Sequence, residues 1–373
     1  MKTARPRTQR GTVEKEQHMA SRNRSPVAAG PAQIFADLRG VADRVREGLT
    51  REIPESAYEP PADEAPGEEI ARFAEQERAR VLEAGARGLE KLAAGRDDEI
   101  GDDESFGMEA IVLLEGRPAI LVQGGDFPPQ EGEWEMLNGR RAAIRETLAR
   151  VGRVDVSGHL RLDWVGTAFL VGADVVMTNR HVALEFAADD GASAWTFQPG
   201  LGAAMDLARE FGALPGVGGL TYAVTEVIGV HRDVDMALLR VAPAPGGQEL
   251  PSPLAVAADA PADLPGHPVY VVGHPAWDGR RNEPESMRRI FMDIYNVKRL
   301  QPGTANQLLA ERNVLTHDCS TLGGNSGSPV LDLADHRVLG LHFGGRYGFG
   351  NYAVPLWEML DDPLVRRAEL NFV

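Results

Sequence analysis

The chain has 373 residues, enough for two or three domains of ordinary size. Its formal net charge is −16 at pH 7, and an acid excess of that size repels phosphate and anionic lipid, so we expect no nucleic-acid partner and no membrane. A single cysteine, Cys319, rules out an intramolecular disulfide, and an apolar content of 43% is typical of a globular protein.

The N-terminal 30 residues are rich in arginine and lysine and contain almost no large apolar side chains. This composition predicts a disordered basic arm over residues 1–30. The segment lacks the apolar core of a signal peptide, and no stretch of the chain approaches the roughly 20 apolar residues needed to span a bilayer. We therefore expect the protein in the cytoplasm.

Residues 31–150 have mainly helical patterns. Apolar residues recur every three or four positions from Ile34 to Leu49, and again from Ile70 to Leu92, which predicts two amphipathic helices that can pack as a hairpin. The proline- and acid-rich stretch Pro54–Gly67 separates them. The acidic run Asp97–Glu104 resembles a calcium loop, but it lacks the alternating ligand spacing of an EF-hand, which favours a solvated linker.

Further along this region the apolar pattern changes. Short apolar runs at Ala110–Leu114 and Ala119–Val122 flank a turn sequence and predict a β-hairpin. Leu137, Ile144 and Leu148 have helical spacing and predict one more helix before residue 150. The role of the whole N-terminal region stays open between autoinhibition, docking of a regulatory partner and sensing.

From residue 151 to the C-terminus the pattern is that of β structure. Short β-branched runs recur about every ten residues, with glycine, proline and aspartate between them: Val154–Val156, Thr167–Val171, Val175–Thr178, Val227–Val230, Ala237–Val241, Val269–Val272, Val330–Leu333 and Val338–His342. Many short strands without long helices between them favour a sandwich or a barrel. We therefore predict a single mainly β domain over residues 151–373.

The most informative string in the chain is Gly323–Pro329, Gly-Gly-Asn-Ser-Gly-Ser-Pro. A serine hydroxyl becomes a nucleophile only when a base takes its proton, and the oxyanion that follows needs preorganised N–H donors. The glycines around Ser326 allow a sharp turn in which the N–H groups of Gly324 and Ser326 point to one place. On its own the string is also compatible with a plain turn, so its interpretation depends on partner residues.

A base and an acid are available in suitable positions. His181 follows the apolar run at Val175–Thr178, where a side chain can be directed from a rigid edge into a cleft. Asp235 stands at the head of the apolar run at Ala237, and it can accept a hydrogen bond from the histidine Nδ1–H. Asp233, two residues earlier, is the competing candidate for that role.

Together these strings resemble the trypsin-like serine peptidases, and within them most closely the bacterial V8-like glutamyl endopeptidases. The resemblance rests on five motifs: Gly166–Gly172, Thr178–Val182, Asp235–Leu239, Val272–Pro275 and Ser320–Pro329. It implies two six-stranded antiparallel β-barrels and a serine endopeptidase in which His181 is the base, Asp235 its orienting acid and Ser326 the nucleophile. It also favours Asp235 over Asp233.

The resemblance extends to substrate choice. In the glutamyl branch a histidine and a threonine contact an acidic side chain, and the matching residues here are His342 and Thr321. An N–H donor and a hydroxyl can satisfy a buried carboxylate. The alternative is that His342 packs against Phe343 without touching substrate. The net charge of −16 works against acidic substrates, although charges beyond about 8 Å are screened at physiological salt.

No cofactor is implied. The remaining histidines lack the spacing of metal ligands, so we expect no metal site, and Cys319 is expected to be a buried thiol. The expected partner is a protein or peptide substrate. The competing functional hypothesis is a catalytically silent barrel of the same fold that binds peptides or acts as a sensor module.

Overall fold

The computed structural model describes residues 116–373, apart from 192–193, 214–218, 244–245, 277–290, 292–293 and 347–349. It also describes residues 80, 83–88, 90–91, 94, 96, 99–101 and 104. The basic arm, the helix predicted from Ile34 to Leu49 and the first strand of the predicted hairpin, Ala110–Leu114, lie outside the described residues.

Six antiparallel strands close into the first barrel, in the order β2-β3-β4-β9-β8-β7. Their bounds are β2 Val151–Ser157, β3 Trp164–Leu170, β4 Val175–Thr178, β7 Gly202–Asp206, β8 Thr221–Val230 and β9 Ala237–Pro243. A short helix, α3 Arg180–Ala183, follows β4, and the small strand pair β5 Ala187–Asp189 and β6 Trp195–Phe197 lies between α3 and β7.

The second barrel is built in the same way from six strands, β10 to β15. Their bounds are β10 His267–Gly273, β11 Arg299–Leu309, β12 Val314–His317, β13 Pro329–Asp332, β14 Val338–Arg346 and β15 Gly350–Pro355. The pairing of β11 with β12 closes the ring, and the two-residue strand β1 Ile120–Leu121 pairs with the start of β11. These two barrels confirm the predicted mainly β fold.

Strands β3 and β4 of the first barrel are buried on both faces along most of their length. Ala168 and Leu170 of β3 pack into a cluster shared by all six strands of that barrel. Phe169, which lies between them, belongs to a second cluster that includes Tyr270 and Leu331 of the other barrel. Because alternate residues of a strand face opposite sides, one apolar run can serve both the barrel interior and the interface between barrels.

Residues 116–150 pack against the barrels. The predicted helix is present as two short ones, α1 Met136–Gly139 and α2 Arg141–Leu148. Leu137, Ile144 and Leu148 are completely buried in the cluster between the barrels. Of the helix predicted from Ile70 to Leu92, residues 83–88 and 90–91 are helical. The domain boundary predicted at residue 151 stays a prediction.

The last helix of the chain is short, α4 Pro363–Arg367, and its first N–H groups are capped by the carboxylate of Asp362.

Within the described part of the chain no helix combines the length and the apolar character that crossing a bilayer requires.

Candidate active site

The first barrel brings His181 and Asp235 together. His181 lies in α3, directly after β4, and Asp235 lies in the turn that leads into β9, the neighbouring strand. The His181 Nδ1 atom is 2.7 Å from the Asp235 Oδ2 atom, and the backbone N–H of His181 donates to Oδ1 over 3.0 Å. Both carboxylate oxygens are thus engaged by one residue, which fixes the ring and leaves its Nε2 atom for other partners.

Burial and hydrogen bonding act in opposite directions on Asp235. Burial alone would raise the pKa of its carboxyl, but the hydrogen bonds and the charge of His181 outweigh it and hold the pKa below its usual value. Asp235 is therefore a carboxylate at neutral pH. A carboxylate on Nδ1 favours the tautomer in which Nε2 carries the lone pair, as a general base requires.

The turn that carries Asp235 is held by its own side chains and its neighbours. Asn179 Nδ2 donates to the Asp235 carbonyl over 2.9 Å. The His231 Nδ1 atom accepts the N–H groups of Asp233 and Val234, and its Nε2 atom is 3.0 Å from an Asp362 carboxylate oxygen. Asp235, and not Asp233, is thus the acid that contacts His181.

The second barrel supplies the loop that carries Ser326. Three of the hydrogen bonds that fix its backbone come from Thr167 and Ala276: Thr167 N–H to Ser326 O over 2.8 Å, Thr167 Oγ1 to Gly324 O over 2.8 Å, and Ala276 N–H to Gly323 O over 2.7 Å. Thr167 belongs to β3 of the first barrel, so the loop is anchored across the interface between the barrels.

The two N–H groups that the sequence predicted as oxyanion donors remain available for a ligand. The N–H groups of Gly324 and Ser326 have no acceptor within the described residues, while the Gly323 carbonyl is bound to Ala276. Because C=O and N–H point in opposite directions across a trans peptide, this bond turns the Gly324 N–H away from Ala276. Gly324 has φ +82°, and a Cβ there would lie 2.5 Å from both the Trp164 ring and the His274 carbonyl oxygen. Only glycine fits this position.

His342 lies beside the same loop. Its backbone O accepts the Gly327 N–H, its backbone N–H donates to Ser328 O, and both distances are 2.9 Å. Its buried ring contacts a second buried histidine, His317, with 3.1 Å between His342 Nδ1 and His317 Nε2. No described residue takes up the Nε2 atom of His342.

Burial keeps both rings neutral. Burial lowers the pKa of His317 to about 3. Burial also lowers the pKa of His342 well below its usual value, and the nearby His317 and His181 add to the effect. The neutral pair has two arrangements, because either ring can donate to the other; when His317 Nε2–H is the donor, the proton of His342 lies on Nε2. His342 then offers an N–H donor without a positive charge.

Thr321 is held differently from what the sequence suggested. Its hydroxyl donates to Asn351 Oδ1 over 2.8 Å, and Asn351 Nδ2 in turn donates to Cys319 O over 2.6 Å. The carbonyl of Cys319 fixes the orientation of the amide. The hydroxyl proton of Thr321 is therefore already donated to Asn351. The hydroxyl must break this hydrogen bond before it can donate to a ligand.

We expect the His317 ring to make the fold sensitive to acid. In the unfolded chain His317 is protonated below about pH 6.5, whereas in the folded protein it is protonated only below about pH 3. The free energy of unfolding therefore decreases as the pH drops through that window. For this one ring the loss between pH 7 and pH 5 should be about 2 kcal/mol. Urea unfolding of the wild type and of His317→Gln, each referenced to pH 8, measures it; identical pH dependence in the two proteins would refute it.

Among the residues that the structure describes, no group of three or more histidine, cysteine or acidic side chains could hold a metal ion. Cys319 is a buried free thiol whose pKa is raised well above its usual value by burial and by Asp318.

Sequence reasoning missed several residues that shape the site. Thr167, Ala276 and Asn351 contact the loop through hydrogen bonds that join segments distant in sequence. A local sequence pattern does not predict such bonds. His317 had a weak signal, since it is a histidine in a short apolar strand, but its contact with His342 depends on the pairing of β12 and β14 with β15.

The sequence of the chain is similar to that of known proteins. Residues 166–341 match the family model of the trypsin-like peptidase domain. A protein of Lysobacter enzymogenes named "probable serine protease" is 28% identical over 337 residues, which cover 82% of this chain and 86% of that protein.

Two solved structures are similar in fold. The Rv3671c protease of M. tuberculosis in its active form is 19% identical, with 68% of this chain and 91% of that chain covered and a TM-score of 0.42. The serine endoprotease of Yersinia pestis is 16% identical, with 60% and 65% covered and a TM-score of 0.41.

Proposed function

We propose that this chain is a serine endopeptidase that works through an acyl-enzyme, with His181, Asp235 and Ser326 as its catalytic residues; the support from sequence is that residues 166–341 match the family model of the trypsin-like peptidase domain. The observation that carries the proposal is the 2.7 Å contact between His181 Nδ1 and Asp235 Oδ2. It orients a general base, and the serine loop holds two N–H groups, those of Gly324 and Ser326, that have no acceptor within the described residues.

The steps follow from this geometry. His181 Nε2 takes the proton of the Ser326 hydroxyl as the oxygen attacks the scissile carbonyl, and the negative charge on the carbonyl oxygen is stabilised by the N–H groups of Gly324 and Ser326. His181 then gives the proton to the leaving amine. In the second half of the reaction it activates a water that hydrolyses the ester on Ser326. Asp235 keeps the ring in the required tautomer throughout.

We further propose that the residue on the N-terminal side of the cleaved bond is acidic, as in the V8-like glutamyl branch. The support is the neutral His342 ring, whose Nδ1 atom lies 3.1 Å from His317 Nε2; we assign His317 as the donor of this bond, which places the proton of His342 on Nε2. A carboxylate entering the pocket finds a preoriented donor there. Thr321 can contribute once its hydroxyl turns away from Asn351. A preoriented donor offsets part of the cost of burying the carboxylate.

Cleavage of peptides that differ only at this position tests both proposals. We expect kcat/KM after glutamate to exceed that after alanine by about 10- to 100-fold, since a hydrogen bond to a charged group contributes roughly 1.5–3 kcal/mol. His342→Leu should narrow that ratio while cleavage after alanine continues. Equal cleavage after glutamate and alanine by the wild type would refute the acidic preference and leave the peptidase proposal standing.

A further inference from the structure

A short segment ahead of the first barrel lies against the second one. Residues 116–122, which we name the strap, include β1, where Ile120 and Leu121 pair with Leu300 and Arg299 at the start of β11. The strap therefore belongs to the edge of the second barrel, although it precedes the first barrel in the sequence.

The strap carries a half-buried ion pair. Arg117 Nη2 is 2.7 Å from Asp318 Oδ2, and the Arg117 side chain is only 11% exposed. Asp318 also accepts the Thr304 N–H over 2.6 Å and the Thr304 hydroxyl over 2.8 Å. The guanidinium lies over the Trp134 ring, 5.6 Å from its centroid. The carboxylate that begins the segment 318–324 is thus tied to both the strap and β11.

A second bond fixes the next part of that segment. The Ser320 hydroxyl donates to the Arg117 carbonyl over 2.6 Å, and the Ser320 carbonyl accepts a hydrogen bond from Gln301 of β11. The residue before Thr321 is therefore held from two sides.

Apolar contact completes the attachment. Ala119 of the strap, Phe291 and Leu322 form a small buried cluster. The guanidinium of buried Arg299 donates to Ala119 O over 2.6 Å and to Phe291 O over 2.7 Å, which holds the two backbones together. Leu322 is followed directly by Gly323 and Gly324, so the cluster lies next to the peptide that presents the Gly324 N–H.

From these contacts we propose that the strap positions the segment 318–324, and that Arg117 is its main positioning residue for catalysis. This inference rests on the proposed peptidase function, because the segment holds Thr321 and the oxyanion donor Gly324. The functional unit of the protein then begins near residue 116, well before the first strand of the first barrel.

The test uses the full-length protein and the variant Arg117→Gln, with Arg141→Gln as the matched control. Arg141 also forms an ion pair ahead of the first barrel, with Asp126 at 2.5 Å, and none of its described bonds reaches residues 318–324. In Arg117→Gln we expect amide hydrogen exchange within residues 314–324 to be faster by at least roughly tenfold, because loss of the ion pair eases local opening.

Activity is the second measurement. For Arg117→Gln we expect kcat/KM to fall at least roughly tenfold, as small displacements of catalytic groups do. The ratio of kcat/KM between the best and the second-best residue on the N-terminal side of the cleaved bond should also decrease. A variant that was only less stable would lose activity equally on all substrates. Arg117→Lys, which keeps a positive charge beside Asp318, should recover part of both effects, and Arg141→Gln should resemble the wild type.

Unchanged exchange in residues 314–324 of Arg117→Gln would overturn the inference. If the wild type cleaves no peptide, the peptidase proposal fails, while the exchange measurement still decides whether the strap holds the segment. If Arg117→Gln does not fold, Ser320→Ala removes only the bond to the Arg117 carbonyl. Faster exchange confined to the same residues in Ser320→Ala supports the proposal, and wild-type exchange refutes it.

Discussion

Replacing Ser326 with alanine is expected to lower kcat by about 10⁶, the loss seen when a catalytic serine that acts as one unit with its base is removed. The reason is that the other hydroxyl of the loop, that of Ser328, is completely buried and cannot replace the nucleophile, while the N–H groups of Gly324 and Ser326 remain in place and sustain only residual catalysis. Initial rates on the best peptide substrate, measured at enzyme concentrations high enough to detect slow turnover, give this number.

Ser328→Ala is the matched control for that substitution. Ser328 lies two residues further along the same loop, it is completely buried, and its hydroxyl has no hydrogen-bond partner within the described residues. The same change of side chain there should leave activity close to that of the wild type. Wild-type turnover by Ser326→Ala, or equal losses in the two variants, would contradict the assignment of the nucleophile.

Asp235→Asn is expected to lower kcat by about 10⁴ near neutral pH, because it inverts the histidine tautomer. The backbone N–H of His181 donates to Oδ1, so an asparagine would keep its carbonyl oxygen at that atom. Its NH₂ group would then face His181 Nδ1 in place of the Oδ2 atom that now lies 2.7 Å away. Nδ1 would become an acceptor and Nε2 would carry the proton, so the ring could not act as a base.

The control for this change is Asp233→Asn in the same turn. Asp233 supplies its backbone N–H to His231, a bond that the substitution keeps. We expect nearly unchanged kinetics for Asp233→Asn. A loss of less than about tenfold in Asp235→Asn would mean that the orientation of His181 does not depend on this carboxylate.

Much of the fold was predictable because several of its strands are buried on both faces. Runs such as Val175–Met177 and Ala237–Leu239 are continuously apolar, and they lie in strands of the first barrel. All eight runs predicted as strands fall on observed strands, a few of them with shifted ends. The helix predicted from Leu137 to Leu148 was also found, as two short helices.

Two of the strands that the sequence did not reveal, β11 and β7, lack that composition. β11 contains Pro302 and Gly303, and β7 reads Gly-Ala-Ala-Met-Asp. Residues of these types are weak strand formers on their own. Their conformation comes from pairing with neighbouring strands. Strands β1 and β12 both pair with the same edge of β11, at different positions along it. The proline and the glycine lie between those two positions.

The site, like the fold, was predictable in part: local sequence patterns indicated the catalytic residues but not the residues that hold them in place. His181, Asp235 and Ser326 stand in local strings whose residue types indicate their chemistry. The groups that hold those strings, such as Thr167, Ala276 and Arg117, lie far away in sequence, and only the closed barrels bring them close. The negative net charge and the proposed acidic substrate can coexist, because the proposed donor, the Nε2–H group of His342, acts at short range and charges beyond about 8 Å are screened at physiological salt.

Labelling of the full-length protein with a fluorophosphonate tests the central claim most directly, because the reagent needs both an activated serine and an open oxyanion hole. Mass spectrometry should find one adduct, located on Ser326, with none on Ser326→Ala and much slower labelling of Asp235→Asn. Absence of labelling in folded protein, both full-length and lacking residues 1–79, would contradict the account and favour a silent barrel that only binds peptides.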